Sequence, residues 1–174
     1  SSAASDVYKR QIFTIVKEVS KRVADKNFID LDGRPLWWHL LTELEGLDVT
    51  VNTDSIKFLG QLRNSNLKSV KLIERDQKHV DWENDESIDS SPVEDMLFDF
   101  CQKLDRSEMV VLTHITSPFL KKETIFDAVK KLKNNFEAKS IHSVLKIQDF
   151  AWLKKNTLAS PINIKTDRVQ RTQD

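Results

Sequence analysis

Short apolar runs alternating with amphipathic stretches are the feature that most limits what this chain can fold into. Ile12-Phe13-Thr14-Ile15-Val16 is β-branched and aromatic, as a strand buried on both faces requires. A polar segment, 17–27, follows. Then Pro35, LWWHLLTELE and Gly46 mark a helix of about three turns, with proline at its start and glycine at its end. Asp48 to Thr53 reads as a second strand, and Asp54-Ser55 as an N-cap pair for the helix IKFLGQLRN. Ser69 to Ile73 is a third strand. Residues 76–91 are charged, with Trp82 their one large apolar residue, and read as a loop. Ser91-Pro92 is expected to cap VEDMLFDFCQKL, whose Val93, Met96, Leu97, Phe100 and Leu104 share one helical face. Met109 to Leu112 is the fourth strand, KETIFDAVKKLKNNF the next helix, and Ser140 to Lys146 a fifth strand, after which the pattern dissolves. This order predicts parallel pairing and a three-layer α/β/α sandwich, with ligands bound beyond the carboxyl ends of the strands. The segments to inspect are then 17–28, 53–55, 74–91 and 113–121.

Composition narrows the functional classes. The 174 residues suit one domain, and 27 Lys+Arg against 27 Asp+Glu give a net charge of zero, which removes the basic footprint of a nucleic-acid binder. No apolar run approaches the roughly 20 residues that cross a bilayer, so no membrane span is expected. The leader SSAASDVYKRQ lacks the apolar core of a signal peptide. Cys101 stands alone, so neither an internal disulfide nor a cysteine zinc cluster can form, and a cytoplasmic location is expected. On its apolar helix face Cys101 is read as a small buried hydrophobe. Of Trp37 and Trp38, one is expected in the core and the other at a contact surface.

The first loop, KEVSKRVADKN, is the most informative segment. Lys17, Ser20, Lys21, Arg22, Lys26 and Asn27 fall at the ligand edge of the sheet. Four cations with a hydroxyl among them suit a polyphosphate, because lysines supply point charge and Ser20 and backbone N–H groups supply directed donors. A solvated surface turn fits the same composition. G-x-x-x-x-G-K-[ST] is absent, so this is not a Walker loop. In LTHITSPF, Thr113, His114, Thr116 and Ser117 offer short polar side chains where the sheet opens; a helix cap by Thr116 or Ser117 accounts for them equally. Arg75 ends the third strand and can fork onto a base carbonyl or a phosphate, or pair with Glu74 or Asp76. The histidines, at 39, 79, 114 and 142, show no zinc-site spacing.

Taken in order, these segments resemble the acylneuraminate cytidylyltransferases, the CMP-sialic acid synthetase family. SKRVADKN is similar to the family's S-K-x-x-x-x-K-N signature, DGRPL to its G-[KR]-P-L step, NTDS to its S-T-D-[SD] turn, and VQRTQD to its R-x-Q-D segment; T-S-P recurs in LTHITSPF. The likeness runs from about residue 12 to 174. Departures include Lys17 where the family usually has Arg, Glu18-Val19 where it has small residues, Ala24-Asp25 in place of a Pro before K-N, His114-Ile115 in place of Gln-Pro, and Leu120 in place of an Arg.

The resemblance implies a Rossmann-like fold of the nucleotide-diphospho-sugar transferase type. It implies transfer of CMP from CTP to a sialic acid or related nonulosonic acid, with release of pyrophosphate. Lys17 and Lys21 would act catalytically on the triphosphate, with Ser20 and Lys26 beside them. Asn27, Arg75 and Ser91 would contact the nucleoside, and His114, Thr116 and Ser117 the sugar. Mg²⁺ is implied as cofactor, with its carboxylate ligands expected downstream of Asp174. A homodimer is implied for the full-length protein. On this reading residues 1–11 are a non-native or disordered leader, 12–146 the nucleotide-binding domain, and 147–174 the start of a truncated dimerisation and sugar-binding segment. Phe150, Trp152, Leu153, Ile162 and Ile164 are its exposed apolar residues, and such a fragment is expected to be inactive alone. The competing readings are a cytidylyltransferase for Kdo or another sugar acid, and a catalytically silent homologue that binds nucleotide or dimerises.

Overall fold

A computed structural model describes residues 10–20, 23–85, 87–88, 91–146, 151–155 and 158–162. Lys21 and Arg22, the VQRTQD stretch, Phe150 and Ile164 lie outside the described residues. The chain divides into two units, residues 1–131 and 132–174.

The first unit is built on a parallel sheet. Strand β1 (Arg10–Val16) is followed by a short hairpin, β2 (Asp30–Leu31) and β3 (Arg34–Pro35), then helix α1 (Leu36–Glu43), strand β4 (Val49–Thr53), helix α2 (Ile56–Arg63) and strand β5 (Val70–Glu74). Helices α3 (Gln77–Asn84) and α4 (Val93–Cys101), strand β6 (Met109–Leu112) and helix α5 (Lys122–Lys133) complete the run. The sheet order is β5-β4-β1-β6, and all three pairings are parallel. The chain steps outward from β1 through β4 to β5 and returns to the other side of β1 with β6. The order therefore reverses beside β1, where a doubly wound sheet opens a crevice.

Alternation along β1 sorts the core onto two faces. Ile12 and Val16 pack with Trp37, Leu40, Leu41 and Leu44 of the α1 region, Phe58 and Leu62 of α2, and Ile125 and Val129 of α5. Phe13 points the other way, onto Met96 and Phe100 of α4, its ring stacked on Phe100 at 4.7 Å between centroids. Helices thus cover both faces, as the sandwich requires. Trp37 is the buried tryptophan and donates its indole N–H to Gln61 Oε1 at 2.8 Å, while Trp38 is half-buried beneath Arg34. Asp32 (φ 53°) and Gly33 (φ 76°) turn the β2–β3 hairpin; two consecutive left-handed residues are what a two-residue type I′ turn needs.

Four expectations are corrected. Residues 76–91 are not all loop, because 77–84 form α3. Asp76 caps it by accepting the Lys78 N–H at 3.0 Å, and its inner face is made of His79, Trp82 and Glu83. A search for apolar periodicity passes over a helix whose buried side is polar. Residues 140–146 form no strand; they are exposed coil, with no ladder partner among the described residues to hold them extended. Cys101 is exposed rather than buried, because as the residue after Phe100 it points about 100° away from the apolar stripe that Met96 and Phe100 define; partial desolvation still raises its thiol pKa. Ser91 does not cap α4: Pro92 takes the cap position, with no side-chain bond. At the start of the sheet, β1 begins at Arg10, and Gln11 is buried with its amide donating to Asp48 and Glu108.

In the second unit, β7 (Trp152–Lys155) pairs antiparallel with β8 (Leu158–Pro161), where the sequence pattern had read as dissolved. Trp152, Leu153, Leu158 and Ile162 are exposed on this hairpin.

Candidate functional site

Strand register assembles the site. Val16 of β1 lies opposite Thr53 of β4, and Thr53 opposite Glu74 of β5. Three neighbouring strands therefore end level, and the residues that follow them, Lys17, Asp54 and Arg75, emerge side by side at the carboxyl edge.

Arg75 is the centre of the arrangement. Its side chain is fully buried. Nε donates to Asn52 Oδ1 at 3.2 Å, and Nη1 to Glu83 Oε2 at 2.8 Å, with Asp54 Oδ1 3.5 Å from the same nitrogen. Nη2 has no partner among the described residues. Glu83, on α3, presents its other oxygen to Lys17 Nζ at 2.6 Å. One carboxylate thus holds the first loop and the end of β5 together, and two cations face two anions in a locally neutral cluster.

The first loop is fastened at three further points. Asn27, buried in a short 3-10 turn (Lys26–Phe28), donates its amide to the Lys17 carbonyl at 3.1 Å. The Glu18 carboxylate accepts the Ser55 hydroxyl and the Lys57 N–H, and Asp54 Oδ1 accepts the Glu18 N–H at 3.3 Å. Ser55 meanwhile accepts the Phe58 N–H at 2.9 Å as the N-cap of α2. Lys57 lies over the Phe28 ring and pairs with Asp25. The loop is therefore tied to α2 rather than being a freely solvated turn.

A groove of about 390 Å³ opens between the ends of β4 and β5 and helix α4, lined in part by Asn52, Arg75, His79, Asp99 and Lys103. His79 is buried in it, 3.6 Å from Asp99. Asp99 accepts a hydrogen bond from Lys78, which holds the carboxyl below and the ammonium above their ordinary ranges. On the other side of the switch point, His114, Thr116 and Ser117 are exposed on the turn after β6, with Ile115 between them buried in the core. Thr14 of β1 fixes the start of that turn by donating to the Thr113 carbonyl at 3.1 Å.

Of the residues expected at the site, the structure brings Lys17, Asn27 and Arg75 together in one connected network, with Ser20 and Lys26 on the same loop, half-buried. Ser91 is exposed at the start of α4, outside that network. Asn52, Asp54, Ser55 and Glu83 were not anticipated as its members. Register alone would have found Asp54 and Asn52, since they sit at the end of the strand between β1 and β5. Glu83 required knowing that α3 is a helix.

Among the described residues no group of three or more His, Cys, Asp or Glu side chains is placed to hold a metal ion. The carboxylates nearest the network, Asp54 and Glu83, are already engaged by Arg75 and Lys17. No helix among the described residues is long and apolar enough to cross a membrane.

A parallel sheet that reverses order beside β1, with a loop carrying Lys17 and Lys26 after β1 and a buried arginine just after β5, defines a doubly wound, Rossmann-like architecture. The chain belongs to the cytidylyltransferase family, whose sequence pattern matches residues 19–170. Among solved structures it is similar to a CMP:2-keto-3-deoxy-manno-octonic acid synthetase complexed with CTP, with a TM-score of 0.54 and 17% identity over 73% of this chain. The chain spans about half of that protein, 48% of its length. A search of curated sequences gave no match.

Proposed function

We propose that this chain forms the nucleotide-binding part of a cytidylyltransferase that activates a sialic acid or a related nonulosonic acid with CTP. The observation that carries this reading is the Lys17–Glu83–Arg75 network at the ends of β1 and β5, within a chain of the cytidylyltransferase family. The anomeric hydroxyl oxygen of the sugar acid attacks the α-phosphorus of CTP. A new phosphorus–oxygen bond forms, the bond to the β,γ-pyrophosphate breaks, and the hydroxyl proton leaves to solvent or a nearby base. Such transfer needs positioning and charge compensation more than covalent help.

Each part of the chain has a share in that task. Lys17, Ser20, Lys21 and Lys26 bind the triphosphate, with Lys17 and Lys21 closest to the reacting phosphate. Asn27 and Arg75 hold the nucleoside, with Ser91 at the margin. His114, Thr116 and Ser117, across the switch point, receive the sugar. Mg²⁺ belongs to the reading through the family resemblance, and its ligands are sought outside the described residues. The working enzyme is a cytoplasmic homodimer.

The eight-carbon acid Kdo is the second reading, since the structural neighbour is named as a synthetase for it. Incubation with CTP, Mg²⁺ and either N-acetylneuraminate or Kdo, with the CMP-sugar identified by mass, separates the two. CMP-N-acetylneuraminate alone supports the first reading, CMP-Kdo alone the second. Nucleotide bound with neither product formed, both by this chain and by one extended past Asp174, leaves a silent homologue.

A further inference from the structure

Among the described residues Glu83 is the side chain that touches both Lys17 and Arg75, and it comes from α3, whose inner face carries His79 and Glu83. Its carboxylate divides its oxygens: Oε2 takes Arg75 Nη1 at 2.8 Å and Oε1 takes Lys17 Nζ at 2.6 Å. The two grips are unequal. Arg75 is fully buried and held again by Asn52 and Asp54, whereas Lys17 keeps 34% of its side-chain surface exposed. A lysine on a flexible stem, with one partner and access to solvent, exchanges that partner for a phosphate readily; a planar guanidinium fixed on two edges does not. All three side-chain contacts to Arg75 fall on Nε and Nη1, and among the described residues Nη2 is left unmatched on a residue that lines the groove. A buried donor with no acceptor calls for one.

We propose that Glu83 is a positioning residue that sets nucleotide selectivity. It aims Arg75 Nη2 at the base and keeps the guanidinium off the triphosphate, while lending Lys17 to the phosphates when they arrive. This rests on the reading of the chain as a CTP-binding domain. Without the Glu83 carboxylate, Arg75 keeps only the more distant Asp54, 3.5 Å from Nη1, as counter-charge beside a polyanion, and a guanidinium forks onto phosphate oxygens as readily as onto a base. Selectivity for the base is then lost although nucleotide still binds.

The test is calorimetric titration of the parent and Glu83→Gln with CTP, ATP and inorganic tripolyphosphate, each at low and high salt. Glutamine keeps the shape and one acceptor and removes the charge. The preference for CTP over ATP should fall about tenfold, the scale of one charge-assisted hydrogen bond losing its aim. Tripolyphosphate should bind the variant at least as tightly as the parent. A general structural lesion would weaken all three ligands together, so a variant that loses all three while keeping its circular dichroism overturns the proposal, as does one that keeps full CTP preference. A parent that binds CTP and ATP alike overturns the functional reading as well. Should the variant fail to fold, nitrogen-15 NMR of the parent decides: the Arg75 Nε–H resonance, assigned with Arg75→Lys, should shift on addition of CTP and stay in place with tripolyphosphate. Equal shifts with both ligands overturn the proposal.

Discussion

Asn27 closes the first loop onto its own beginning, its side-chain amide donating to the Lys17 carbonyl at 3.1 Å from a buried position. The bond spans ten residues and sets the height at which Lys17 leaves β1, so that Nζ reaches Glu83. Asn27→Ala removes a buried donor and takes this partner from the half-buried Lys17 carbonyl. Stability to urea should drop by about 1 to 3 kcal/mol, and CTP affinity should fall with it, since the cations of the loop lose their common anchor. Unchanged CTP affinity in a folded variant would take Asn27 out of the site.

Ser55 serves two neighbours at once, capping α2 through the Phe58 N–H and donating to the Glu18 carboxylate. Replacing it with alanine should cost about 1 to 2 kcal/mol through the lost cap. It should also raise proteolysis within the first loop, because Glu18 then keeps only the Lys57 N–H as partner on α2. Limited digestion that cuts parent and Ser55→Ala at equal rates would show that the loop is held elsewhere.

The fold also carries an acid-sensitive tie. Glu43, at the end of α1, accepts Lys121 Nζ at 3.0 Å and the Lys122 N–H at 3.2 Å at the start of α5. The hydrogen bond from Lys121, and next the backbone bond from Lys122, hold its carboxyl below the ordinary value of 4.5. A carboxylate whose pKa is lowered on folding adds stability above its unfolded pKa, and that stability is lost as pH falls through the folded value. Stability of the parent should therefore decline, as pH falls through 4.5 and below, more steeply than that of Glu43→Gln. Parallel declines in urea midpoints over that range would rule the pair out as a contributor.

Much of this architecture could be read from the residues. Four strands lie where β-branched runs lie, and the helices of α1, α2, α4 and α5 follow their apolar stripes. Those signals come from burial of apolar surface, which sequence periodicity reports directly. Two segments resisted for opposite reasons. In α3 the buried position is His79, with Glu83 and Trp82 half-buried beside it; His79 and Glu83 face partners outside their own helix, so no local pattern marks them. In 140–146 the local pattern is that of a strand, but a strand is completed only by a neighbour to pair with. The site divides along the same line. Lys17, Asn27 and Arg75 were legible because loops after parallel strands must face the ligand edge, whereas the carboxylate joining them had to be seen in three dimensions.

The most direct test of the account is nucleotide selectivity at Arg75. CTP, UTP and ATP should be titrated calorimetrically into the parent and into Arg75→Lys, which keeps the charge and gives up the fork. The account predicts that the parent prefers CTP by about tenfold or more, and that the lysine variant binds all three nucleotides with similar, weaker affinity. Equal binding of the three by the parent, or an undiminished preference for CTP in Arg75→Lys, would contradict it.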